Sequence, residues 1–106
     1  MTAMVHEVAI PDARYRVVTQ LTHQPEVETA LTVAVKEWVK LRLQQVAAER
    51  EVFERKWGMD YAEFKRRWLD GLIPNPYSYA VEKDYFDWEA VVTDEKYLLE
   101  MSGTLA

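Results

Sequence analysis

The stretch that most constrains the fold lies at the amino end. Val5-His6-Glu7-Val8-Ala9-Ile10 alternates with period two, stops at Pro11, and predicts one short strand with Val8 and Ile10 on its inner face. No second segment alternates in this way. A single strand cannot satisfy its own row of amides and carbonyls, which is costly when buried and adhesive when exposed. The expectation is an intermolecular ladder, in which a second copy supplies the other strand and the protein is a homodimer.

After Pro11 the chain reads as helix. Asp12 is placed to N-cap a first helix, followed by Tyr15, Val18 and Leu21 at helical spacing. Gln24-Pro25-Glu26 interrupts it, because proline disfavours a helical residue before it. A long second helix starts near Val27. Leu31, Ala34, Val35 and Trp38 form one apolar stripe on it, read as core, and Val39, Leu43, Val46, Phe53 and Trp57 form another, displaced around the axis. Glu51 and Arg55 have the spacing of an exposed pair, and Gly58 closes the helix in a left-handed cap. Asp60-Tyr61-Ala62-Glu63 has capping-box spacing and opens a short helix through Asp70, stopped by Gly71. Leu72-Ile73-Pro74-Asn75-Pro76 must be extended or turned. Ser78 caps a last helix to about Met101, with Val81, Tyr85, Trp88 and Val92 on its apolar side. The expected fold class is mostly α with one short N-terminal strand. Residues 1–57 would form a dimerisation module and 58–106 a helical partner-binding extension.

Size and residue types exclude several functions. A chain of 106 residues is expected to be one domain, or one small domain with an appended element, and without cysteine it has no disulfide or thiolate metal site, which fits a reducing cytoplasm. No apolar run approaches the roughly 18 residues of a membrane span, and the amino end has no secretory pattern. The expected location is cytoplasmic. His6 and His23 lack companions at ligand spacing, and Asp84 and Asp87 lack a third ligand. With no glycine-rich phosphate loop and no nucleophile in a recognisable setting, no catalysis, metal, cofactor or small-molecule substrate is expected.

Charge is segregated. From Pro74 onward seven acids (Glu82, Asp84, Asp87, Glu89, Asp94, Glu95, Glu100) face two bases (Lys83, Lys96), while the first 73 residues balance. Tyr77, Tyr79, Tyr85, Phe86, Trp88 and Tyr97 are interleaved with these acids. The rings either pack back on Phe53, Trp57, Phe64 and Trp68 or anchor a partner, and one helix can do both with its two sides. The acids either face water or meet the bases of a cationic partner. The candidate partner-contact residues are Tyr77, Tyr79, Glu82, Asp84, Tyr85, Trp88 and Glu89. Lys65-Arg66-Arg67 reads as a solvated face, with Glu63 one turn from Arg67.

Strand, Pro11-Asp12 turn, helix, short turn and helix resembles the ribbon-helix-helix repressors and antitoxins of bacteria. Val8 and Ile10 and the run Leu31-Thr32-Val33-Ala34-Val35-Lys36-Glu37-Trp38 carry that likeness over about residues 4–42. Phe53, Trp57-Gly58-Met59, Glu63-Phe64, Ile73-Pro74, Ser78-Tyr79, Val81-Glu82, Asp84-Tyr85 and Trp88-Glu89 resemble small prokaryotic antitoxin-like proteins encoded beside a compact toxin. Together they imply an antitoxin with a dimerisation module, its ribbon and core at Val8, Ile10, Leu31, Ala34, Val35 and Trp38, and an arm that blocks a toxin encoded nearby. In ribbon-helix-helix repressors outward strand side chains enter the major groove. The outward set here is Val5, Glu7 and Ala9, which offers no base-reading cation, so DNA binding and autorepression are the weaker expectation.

Overall fold

The computed structural model describes residues 6–105. Four helices follow one another: α1 (Asp12–Thr22), α2 (Val27–Trp57), α3 (Tyr61–Leu69) and α4 (Tyr79–Leu105). Among the described residues there is no strand. This overturns the expected fold class. Val8 is 75% exposed, Ile10 is half-buried, and neither belongs to any regular element. A strand persists only when its backbone groups are paired, and period-two alternation over six residues carries no pairing of its own. The ribbon is lost, and with it the ladder argument for a homodimer and the groove-reading face of Glu7 and Ala9. Val5 lies outside the described residues.

The chain forms two compact units, Met1–Glu37 and Trp38–Ala106, dividing within α2. In the first unit, α1 buries no residue, and Leu21 is 76% exposed. Local bonds define its ends. Pro11, not Asp12, is the N-cap, and its carbonyl accepts from the Tyr15 amide at 3.0 Å. Asp12 sits in the first turn, where its charge suits the helix dipole, and takes Arg16 Nη2 at 2.8 Å. At the other end His23 turns left-handed (φ 56°), and the Gln24 amide reaches back to the Thr19 carbonyl at 3.1 Å. Tyr15 donates its hydroxyl to the Pro25 carbonyl at 3.2 Å. Leu31 and Val35, read as core, are exposed, and Ala34 is half-buried.

In the second unit α4 packs along the Trp38–Trp57 part of α2, with α3 against their shared end. The displaced stripe of α2 is the one that buries. Val39, Val46 and Leu98 form one apolar cluster, with Leu43, Val91 and Leu105 packed on it. Phe64, Ile73 and Trp88 form the other, wrapped by Phe53, Trp57, Met59, Tyr61, Trp68, Val81, Tyr85 and Val92. Rings dominate this second cluster: Phe53 stacks on Trp88 at 5.6 Å between centroids, Phe64 lies 5.1 Å from Trp88, and Trp68 lies 4.6 Å from Tyr85. Trp38, expected in the core, is 61% exposed instead.

The connections follow their turn residues. Gly58 (φ 70°) ends α2 with its amide on the Glu54 carbonyl at 2.8 Å. Asp60 Oδ1 accepts from the Glu63 amide at 2.9 Å and starts α3. Gly71 (φ 71°) stops α3, and the Leu72 amide returns to the Arg67 carbonyl at 2.8 Å. The Pro74–Pro76 segment turns at Asn75 (φ 49°) and buries Ile73 under α4, whose first turn meets Ser78 Oγ through the Val81 amide at 3.4 Å.

Candidate interaction face on the last helix

α4 is apolar on two sides, and among the described residues only one of them is packed against the rest of the fold. Val81, Tyr85, Trp88, Val92 and Leu98 point into the clusters just described. On the opposite side Tyr79 is 80% exposed, Phe86 60% and Tyr97 59%. The spacing explains this: Tyr79, Phe86 and Thr93 are seven residues apart and Tyr97 is one turn further, which keeps them on one line. Phe86, Glu89, Ala90, Thr93, Asp94 and Tyr97 line a shallow open groove of about 580 Å³ between the two outer rings. Ala90 makes the depression, because a methyl group stands between larger neighbours.

The acids of this helix divide the same way. Asp94 takes Arg42 Nη2 at 2.9 Å, and Glu95 takes Arg50 Nε at 3.1 Å, both from α2. The Glu95 carboxylate, joined by Glu54, raises the Arg50 guanidinium above its ordinary value. Asp84 accepts from Trp57 Nε1 at 3.1 Å and pairs with Lys56, so it is largely covered. Asp87 pairs with Lys83 on its own helix. Glu82, Glu89 and Glu100 remain, with no ion pair among the described residues. Their spacing of seven and eleven residues puts all three along one flank of the outer rings.

The structure therefore separates the residues the sequence grouped together. Tyr77 (82% exposed), Tyr79 and Glu89 are at the surface, and Glu82 is half-buried. Trp88 is fully buried, Tyr85 is held among Trp68, Phe64 and Tyr61, and Asp84 is bound to α2, so none of these three is free for a partner. Phe86, Tyr97 and Glu100 also lie on the outer side and were not among those candidates. The signal was present, since assigning Val81, Tyr85, Trp88 and Val92 to one side leaves Tyr79, Phe86 and Tyr97 on the other. Among the described residues no group of His, Asp or Glu is arranged to hold a metal, and no helix is long and apolar enough to cross a membrane. No family model matches the chain, and neither a curated protein nor a solved structure matches it.

Proposed function

We propose that this chain is an antitoxin that neutralises a cognate basic toxin by direct contact through the outer face of α4. One observation carries the reading: Tyr79, Phe86 and Tyr97 stand in water beside Glu82, Glu89 and Glu100, while the other acids of the helix are matched within the fold. Exposed rings on a rigid helix lose little entropy when covered and are the usual anchors of an interface. A row of unpaired carboxylates beside them selects a cationic partner and speeds its approach. The occupant we assign is an amphipathic helix of the toxin, its apolar side over Phe86 and Ala90 and its Lys and Arg residues toward Glu82, Glu89 and Glu100. The likeness to antitoxin-like proteins supports the reading through residues that build the body displaying this face, such as Phe53, Trp57, Ile73 and Trp88.

The test is co-purification of the full chain with the product of the adjacent gene, comparing the native protein with Phe86→Glu/Tyr97→Glu. The native chain should retain the partner and block its toxicity, and the variant should lose both while its helical spectrum is unchanged. Equal retention by the two proteins would reject this face. Ending the chain at Leu72 is a poorer test, because it removes Trp88 and Leu98 from the core.

A further inference from the structure

The geometry points to a second copy of this chain as the occupant of the outer side of α2, packed antiparallel along Trp38, Leu41, Gln45, Ala48, Val52 and Arg55. This surface is separate from the toxin-binding face of α4, and the inference does not depend on that reading. The six residues alternate by three and four, the heptad seam that keeps one line of side chains facing a neighbouring helix. Among the described residues nothing covers them. Trp38 is 61% exposed, Leu41 56% and Val52 53%, whereas Val39 and Val46, on the far side of the same helix, are buried against α4. The seam holds large apolar side chains that the fold does not need, on a helix already anchored by its other face.

Its own chemistry selects the orientation. In a parallel pair each residue meets its own copy, which places Arg55 against the partner's Arg55 and Gln45 against the partner's Gln45. Reversing one helix about the middle of the seam sets Trp38 against the partner's Arg55, Leu41 against the partner's Val52, and Gln45 against the partner's Ala48. Each contact is then made twice by the two-fold symmetry. Arg55 has no ion pair among the described residues, not even with Glu51, so its guanidinium can lie on the indole face of Trp38. Large residues meet smaller ones along the seam, which suits close packing. At the border, Arg42 comes opposite the partner's Glu49 on both sides. The two are only partly exposed ends of an existing network, in which Arg42 holds Asp94 at 2.9 Å and reaches Glu49 at 4.0 Å. The parallel arrangement repeats like charge at Arg55, and the antiparallel one pairs opposite charges and removes that repulsion.

Two measurements on the full chain test this. Light scattering after gel filtration should give the mass of two chains, falling to one chain of 12.5 kDa in Leu41→Glu/Val52→Glu with its helical spectrum unchanged. The chain has no cysteine, so single substitutions report register directly. A mixture of Gln45→Cys and Ala48→Cys chains should oxidise chiefly to the mixed disulfide. A native chain that stays monomeric at high micromolar concentration overturns the proposal, as does a dimer that survives the double substitution. Self-linking of Gln45→Cys in preference to the mixed product overturns the antiparallel register. None of these outcomes depends on toxin binding.

Discussion

Single groups in the aromatic cluster reveal how it was assembled. The Tyr61 hydroxyl and Trp88 Nε1 are buried without hydrogen-bond partners, although their rings are well packed, 5.7 Å apart between centroids. Burial raises the Tyr61 phenol above its usual value of 10.0, because an anion there is unsolvated. Folding thus holds this proton more tightly than the unfolded chain does, so stability falls as pH rises above about 10. Tyr61→Phe should therefore stabilise the protein by about 1 kcal/mol in urea melts at neutral pH and lessen its sensitivity to alkali. A destabilised variant would mean the hydroxyl is satisfied. Glu63 shows the opposite sign. Hydrogen bonds from Arg66 and Arg67 lower its carboxyl to about 2, so their support for α3 is present above the ordinary 4.5 and is lost as pH falls toward 2. A titration followed by NMR should place Glu63 well below the ordinary 4.5, and an ordinary midpoint would show that the arginines do not hold it. Gly58 and Gly71 need their left-handed backbone and not space, since an added Cβ at either meets nothing within 4 Å. Alanine at Gly58 should cost about 1–2 kcal/mol for conformational reasons alone, read from the urea midpoint.

At the scale of elements, α4 is the piece on which both folding and the proposed recognition depend. Its inner side can be tested apart from its outer side. Trp88→Ala removes a fully buried ring that touches Phe53, Tyr61 and Phe64, and should cost about 3–5 kcal/mol, a large share of the stability of a domain of this size. Phe86→Ala should leave stability within ~0.5 kcal/mol and weaken binding of the proposed toxin by about 2 kcal/mol, roughly thirtyfold in Kd by titration calorimetry. If Phe86→Ala instead lowers the urea midpoint as Trp88→Ala does, the outer face is part of the fold. α1 differs from both, being defined by its caps and hydrogen bonds and burying nothing in the structure.

At the scale of the molecule, four helices and their stops were legible in the residues themselves. Helical spacing predicted all four, and the left-handed glycines, the Asp60 cap and the paired prolines are local signals that act over a few residues. The strand at 5–10 was not a sound inference, because pairing belongs to two segments and is not encoded in the alternation of one. Nor could the sequence choose among apolar stripes. α2 carries Leu31-Val35-Trp38 and Val39-Val46-Phe53, and α4 carries Trp88 beside Phe86, each set at proper helical spacing. Periodicity says that a face is apolar and leaves open which face meets another element. Arg42, Arg50 and Lys56 on α2 meet Asp94, Glu95 and Asp84 on α4, residues some thirty to fifty positions apart, and only that meeting determines which acids α2 takes up. The sequence by itself determined the helices, because their hydrogen bonds and caps are local. The tertiary structure alone decided which rings are core and which are surface, because burial depends on what the rest of the chain brings alongside.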